Sequence, residues 1–341
     1  MKKKRPTQFD VAQLAGVSQA MVSYVLNDNS NISVTDETRQ RILGAMNELG
    51  YVPNRAARAL RTQRTNTIAC VVPDITNPFH TVFARGLQKV VEHHGYDIVL
   101  YDTDRSPAKE QKYLRKLQEG RVDGVVITAM HIKPEDLVPL LEMNIPVVVQ
   151  GPKRLPLQIE KYPLDSLHIN DVAAAATAVS FLIEKGHTRI GMLAGEEDTP
   201  PRRRREEGYR QTLADHDIIV DHALIRGGGF REEGGYHSMQ DLLNLSEPPT
   251  AVFAASDLMA IGAIMAVRDA GLKVPDDMAI VGFDDIPIAR LITPPLTTIA
   301  QFEGKLGERA AAMLIDRLHD HAPDIGRREE MPYRLIVRAS A

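Results

Sequence analysis

Five polar residues stand just after runs of apolar, β-branched sequence, and the ends of strands in an open parallel sheet are where ligand-binding side chains collect. Asp74 and Asn77 follow "TIACVV", Asp257 follows "AVFAAS", and Asp284 and Asp285 end "MAIVGFDD". A carboxylate in such a place accepts hydrogen bonds from ligand hydroxyls, an amide both donates and accepts, and the ring of Phe79 offers an apolar face to a sugar. Two of the five have a structural alternative: Asn77 as the cap of a helix opening at Pro78, and Asp257, with Ser256, as the cap of "LMAIGAIMAV". Asp284 and Asp285 could also act as general acid and base, but no positioned nucleophile accompanies them. The sequence has no GxxxxGK[ST], no GxGxxG after its first strand, no HExxH and no GxSxG. His93 and His94, adjacent on a helical stretch, point apart, which suits a solvated face better than a metal site. Binding rather than catalysis, with neither cofactor nor metal, is the expectation.

A second kind of chemistry is written in "DVAQLAGVSQAMVSYVLN", Asp10 to Asn27. Thr7 with Asp10 reads as a capping box, Val11, Leu14 and Ala15 form an apolar stripe, and Gly16 stops the helix. Ser18 caps a second helix in which Met21, Val22, Val25 and Leu26 face the first, leaving Gln19, Ala20, Ser23, Tyr24 and Asn27 to solvent. A third runs from its cap Thr35 to Gly50, with Ile42, Leu43, Met46 and Leu49 on one face. Helices this short are marginal alone, so the three must share one small core. The exposed face of the second is polar and short where a purely structural surface would carry Glu and Lys, and it suits base edges in a major groove. Charge agrees: residues 1–65 hold ten lysines and arginines against five acids, the remainder 31 against 40, within a net charge of −4. A basic head on an acidic body fits a polyanionic partner.

From Thr67 the pattern changes. "TIACVVPD", "YDIVLYD", "DGVVIT" and "IPVVVQG" read as buried parallel strands, with helices near 78–94, 107–119 and 134–144. The rhythm repeats in "RIGMLAG", "ALIRGG", "AVFAAS" and "MAIVGFDD", with helices near 171–185, 201–215, 231–245 and 257–270. Two doubly wound parallel-sheet lobes are implied, and 341 residues, 43% of them hydrophobic, suffice for two or three domains. Cys70 is the only cysteine, so no intrachain disulfide is possible. "MKKKRPT" is followed by "QFDVAQLAG" where a signal peptide needs an unbroken apolar run, and no stretch reaches 18 apolar residues. A cytoplasmic, nucleoid-associated protein is expected, with no membrane partner.

The headpiece stretch, with "TDETRQRILGAMNELGYVPNRAARALR" after it, closely resembles the lactose-repressor (LacI/GalR) family of bacterial transcription regulators, and the resemblance runs from about Thr7 to "YRLIVRAS". It implies a helix-turn-helix headpiece over 1–52, a hinge helix and linker over 53–66, and a periplasmic-binding-protein-like core over 67–341. Within that core, lobe 1 would take about 67–166 and 301–330, and lobe 2 about 167–300 and 331–341. Contact with operator DNA is implied for Thr7, Ser18, Gln19, Ala20, Met21, Ser23, Tyr24, Asn27, Tyr51 and Asn54, with Gln19, Ala20 and Tyr24 at base-reading positions. Arginine is common where this chain has Tyr24, so its half-site need not follow the usual guanine preference. "PNRAARALRT", whose Arg55, Arg58 and Arg61 share a face, would be a hinge helix that folds on DNA, with Leu60 as a minor-groove wedge beside Ala57. Read without the resemblance, it is a basic linker.

In the core the resemblance favours ligand contact for Asp257. It adds Asp285, Gln301 and Arg205, which stands three residues before Gly208 in a run of four arginines whose other members are read as solvated. "HINDVAAAA" departs from the family's Asp-Asn order, giving Asn170-Asp171. The implied function is a repressor that binds a pseudo-palindromic operator as a homodimer, under control of a small effector in the cleft. A sugar is favoured over a nucleobase, which would want aromatic faces on both sides in a chain with no Trp and 5% aromatic residues. A periplasmic-type solute receptor would share the body but not the head. No leucine heptads follow "RLIVRAS", so a dimer rather than a tetramer is expected.

Overall fold

The computed structural model describes residues 6–26, 34–53, 59, 62, 64–128, 130–151 and 159–341. It divides into two units, Met1–Thr65 and Asn66–Ala341. In the first, α1 (Gln8–Ala15) opens with the capping box: the Thr7 hydroxyl accepts the Asp10 N–H at 3.4 Å while the Asp10 carboxylate accepts the Thr7 N–H at 2.7 Å. Gly16 ends α1 at φ 66°, a conformation that glycine adopts without strain. The Ser18 hydroxyl accepts the Met21 N–H at 3.2 Å as α2 (Gln19–Leu26) begins. Thr35 and Gly50 bracket α3 (Asp36–Leu49). Val11, Ala15, Val22, Val25, Ile42 and Ala45 are buried together. Leu14 and Leu43, expected in this core, are 46% and 45% exposed, because three short helices around so few side chains leave room for one narrow row from each.

The second unit alternates strands and helices. Its first half runs β1 (Thr67–Val72), α4 (Pro78–His93), β2 (Asp97–Asp102), α5 (Pro107–Leu117), β3 (Gly124–Thr128), α6 (Val138–Glu142), β4 (Val147–Gln150) and β5 (Asp165–Ile169). The second half runs α7 (Asp171–Glu184), β6 (Ile190–Gly195), α8 (Pro200–Asp215), β7 (Ile225–Gly227), α9 (Glu232–Leu243), β8 (Ala251–Ala254), α10 (Asp257–Asp269), β9 (Ala279–Asp284) and β10 (Thr297–Ala300). It closes with α11 (Glu303–Leu318), β11 (Arg328–Met331) and β12 (Arg334–Ile336).

Two six-stranded sheets result, ordered β11-β5-β4-β3-β1-β2 and β12-β10-β9-β8-β6-β7, parallel throughout except that β12 runs against β10. Alternation along β1 explains the layering: Ile68, Cys70 and Val72 pack with Phe83 and Leu87 of α4 and Leu314 of α11, whereas Ala69 and Val71 pack with Leu114 of α5 and Leu140 of α6. The chain passes between lobes at Asn170, at Gln301–Phe302 and between β11 and β12. Strand β5 keeps residues up to Ile169 in the first sheet. The exposure of β2 departs from expectation. β2, read as buried, is an edge strand with β1 as its one neighbour, and its Val99 and Leu100 are 41% and 42% exposed.

Candidate nucleic-acid interface and ligand cleft

The helix-turn-helix exposes Gln19 and Ala20 to solvent, with Ser23 and Tyr24 half-buried beside them. Val22 and Val25, on the opposite side of α2, hold it to the headpiece core. Met21 leans on that core, and Thr7 and Ser18, both exposed, cap their helices. Tyr51 is corrected from a surface contact to a packing residue: the turn at Gly50 folds the chain back, the Tyr51 N–H reaches the Met46 carbonyl at 2.9 Å, and the ring is buried with Val11 and Ile42. Asn27, Asn54, Ala57 and Leu60 lie outside the described residues.

In the core, Asp74, Asn77, Phe79, Arg205 and Gln301 come together from both lobes around a compartment of about 90 Å³. Asn77 does both things its sequence allowed: its Oδ1 accepts the Phe79 N–H at 3.0 Å as the cap of α4, and the residue lines the cleft. Asp74 is already engaged. Its Oδ1 accepts the Thr76 N–H at 2.9 Å, and its Oδ2 meets Arg231 of the other lobe at 2.9 Å. Burial pushes the Asp74 carboxyl upward, but these donors outweigh it and hold the group below the usual carboxylate range.

Arg205 is the buried member of its run, which fixes the register. Its Nε donates to Asp171 at 3.0 Å, its Nη1 to the Ala255 carbonyl at 2.5 Å, and its guanidinium lies 3.7 Å from the centre of the Phe283 ring. Arg202 and Arg204, expected to be solvated, are half-buried: Arg204 donates to Asp171 at 2.8 Å, and Arg202 reaches Glu206 at 3.5 Å. The Asn170 side chain caps α7 by accepting the Ala173 N–H at 3.2 Å. The adjacent Asp171 is therefore the carboxylate of that pair that faces the cleft wall.

Two expectations are overturned. Asp257 is wholly buried behind the wall and does not line the cleft; its Oδ2 accepts the Ile286 N–H at 2.8 Å and its Oδ1 the Thr298 hydroxyl at 2.5 Å. The helix cap is Ser256, which accepts the Met259 N–H. Asp285 turns away from the cleft to Arg338 at 2.6 Å. Its neighbour Asp284 lines the cleft instead, accepting from Gln301 Nε2 at 2.6 Å, with burial pushing its carboxyl upward. The direction of the Asp284-Asp285 pair follows from the backbone, whose φ of 125° at Asp284 breaks the strand's alternation.

Sequence reasoning missed His80, Arg105, Thr128, Gln150 and Phe230, which also line this compartment. Four of them follow from its own rule applied evenly: Thr128 and Gln150 end β3 and β4, and Arg105 and Phe230 stand three residues past β2 and β7. Phe230 places a second phenyl ring in the cleft, from the lobe opposite Phe79. His80 is held neutral, with burial pushing its pKa down to about 4, and its Nδ1 has no hydrogen-bond partner among the described residues. The narrow compartment opens into a larger one of about 540 Å³ that shares Thr128, Met130, Gln150, Pro201, Arg205 and Gln301 as walls.

The chain is similar to known proteins in both units. Residues 8–54 match the model of bacterial regulatory proteins of the lacI family, and residues 179–341 match the periplasmic binding protein-like domain. Over 334 residues it is 36% identical to the HTH-type transcriptional repressor CytR of Escherichia coli (strain K12), covering 98% of this chain and 96% of that protein. Among solved structures, the complex of the transcriptional regulator CelR with cellobiose is 33% identical, with a TM-score of 0.72 over 99% of this chain and 100% of that one. The Lac repressor dimer bound to operator and the anti-inducer ONPF is 27% identical, with a TM-score of 0.86 over 99% of each. Likeness of this extent, over headpiece and core alike, makes the chain a DNA-binding transcription regulator rather than an enzyme, a member of the lacI family of bacterial regulatory proteins.

Proposed function

We propose that this regulator is a cytoplasmic homodimeric repressor whose hold on a two-fold operator is set by a polyhydroxylated ring compound, a sugar, bound between the lobes of its core. The observation that carries the effector reading is the composition of the narrow compartment: Asn77, Asp284 and Gln301 around the Phe79 ring, each polar residue at most 8% exposed. Buried groups that can both donate and accept suit hydroxyls, and a phenyl face suits the apolar side of a pyranose. The cellobiose complex of a regulator 33% identical over nearly the whole chain supports the same class. A nucleoside is the second reading, favoured by Phe230, which supplies the second aromatic face that a base would use.

Dimer formation is assigned to the β2 edge. Val99 and Leu100 are exposed there, beside a groove lined by Ala84 and Gln88 of α4, and a second copy of the same face would cover them. A ligand that draws the lobes together alters how two such faces pair, and so the spacing of two headpieces on DNA. Among the described residues no helix is long and apolar enough to cross a membrane.

Selection of bound fragments from a genome tests the regulator reading. It should return a pseudo-palindrome with half-sites about one helical turn apart, and binding should weaken steeply with salt. Fragments without a two-fold motif would refute it. A melting-temperature screen should find sugars raising the transition, and a screen in which purines alone do so would move the effector to the second reading.

A further inference from the structure

We propose that the effector is a phosphate monoester, its ring in the narrow compartment and its phosphate in the larger one, an inference that rests on the reading of the cleft as an effector site. The larger compartment is lined by Lys133, from the turn before α6, and by Arg203 and Arg204, near the start of α8 in the other lobe. Among the described residues Arg205 completes four permanent cations on its wall, against two carboxylates, Asp171 and Asp198. Asp171 serves both Arg204 and Arg205, at 2.8 and 3.0 Å, so one negative charge is shared by two guanidiniums. Arg203 is held by a bond from its Nη1 to the backbone carbonyl of Asp198 at 2.7 Å, which spends one donor and none of the charge. Neither Arg203 nor Lys133 is paired with a carboxylate among the described residues, and both are exposed to the compartment's solvent.

The backbone does not compete for this role. α8 opens with Pro200 and Pro201, which have no N–H, so its first turn has lost two of the donors that commonly hold an anion at a helix start. Recognition falls to side chains, an arginine fork from one lobe and an ammonium from the other. That pairing encloses a tetrahedral dianion from two sides, and the surplus of two positive charges on the wall matches its charge near neutral pH. A neutral sugar would leave this surplus uncompensated. Because the two groups belong to opposite lobes, a phosphate bridging them also draws the lobes together, which couples ester binding to closure.

Titration calorimetry of the full chain decides the matter, with three pairs of probes: glucose and glucose 6-phosphate, ribose and ribose 5-phosphate, adenosine and adenosine 5′-monophosphate, alongside inorganic phosphate. One ester should bind at least ten-fold more tightly than its parent, and in the Lys133→Ala/Arg203→Ala double variant that ratio should fall to within two-fold. The ratio is the readout, and thermal unfolding of the variant confirms that it is folded. Which pair responds separates a sugar phosphate from a nucleotide. Parent and ester binding alike, or an advantage that survives in the double variant, overturns the phosphate site and leaves the effector cleft standing. Binding of inorganic phosphate with no ring compound responding also overturns the monoester, and silence from every probe overturns the effector reading with it.

Discussion

Removing the Asp257 carboxylate would strand two donors, the Ile286 N–H and the Thr298 hydroxyl, in a place with no exposure. Asp257→Ala should therefore cost about 2 kcal/mol or more, seen as a drop of several degrees in the melting temperature, while effector affinity of the folded protein changes little. A loss of effector binding without loss of stability would restore Asp257 to the cleft. Position after a strand identified the neighbourhood of this residue but not its direction, because one helical residue decides whether a side chain faces the cleft or the core. The same ambiguity separated Asp284 from Asp285, where an unusual φ turns the pair and no sequence signal announces it. Asn77 and Arg205 were legible because Pro78 and Gly208 mark their register. At the headpiece, Tyr24 makes a sharper case. Tyr24→Arg should shift the selected half-site towards guanine at one position, since the guanidinium fork grips guanine and the phenol does not. An unchanged motif would mean that Tyr24 does not read bases.

Among the elements, those with strong periodicity stood out in the sequence and those interrupted by polar residues did not. β5, "DSLHI", was missed because Asp165, Ser166 and His168 break its apolar run, yet all three are buried. Asp165 is tolerated there because Arg317 and Arg327 both donate to it, the latter at 2.8 Å; burial pushes its carboxyl upward, but the arginines outweigh this and hold it below the usual range. Both arginines come from α11 and the turn after it, more than 150 residues away, where no local pattern could show them. Helix pairs in the two lobes share a device that sequence alone did not reveal either. α4 and α11 meet where a methyl group at Gly86 would strike the Gly304 carbonyl, and α9 and α10 meet where one at Gly262 would strike the Glu232 carbonyl. Gly86→Ala should push α11 off the first sheet and lower stability by about 1–3 kcal/mol, read from denaturant midpoints. A neutral effect would show that the helices separate freely. On the β2 edge, Leu100→Glu should convert a dimer to a monomer in light scattering and weaken operator binding in parallel, because a buried unpaired charge opposes the contact. A dimer of unchanged stability would place the interface elsewhere.

For the whole molecule, the passage at Gln301–Phe302 sits among buried acids. Glu303, the first residue of α11, is pushed up to about 7, chiefly by burial and further by Asp285 and Asp257. Unfolded, its carboxyl has the ordinary value of 4.5. Between that value and about 7 the unfolded chain releases a proton that the folded chain keeps, so stability contributed by the protonated group is present below 4.5 and is lost as pH rises through 7. The melting temperature should fall across this window, and Glu303→Gln should flatten the fall. Identical slopes in the two proteins would show that Glu303 is not the group responsible.

The order in which the chain leaves the ribosome adds a consequence of its threading between lobes. Residues 171–300 carry β6 to β10 in one stretch, so the second sheet lacks β12 alone when Ala300 emerges. The first sheet, begun earlier, still awaits β11 and the covering helix α11, and Asp165 still awaits the arginines that neutralise it. The lobe written second is thus the first able to close, and the one written first stays open to proteases until translation has passed Met331. Nascent chains arrested with Ala300 and with Met331 just outside the exit tunnel should differ in this way: resistant second-lobe fragments from both, resistant first-lobe fragments from the longer alone.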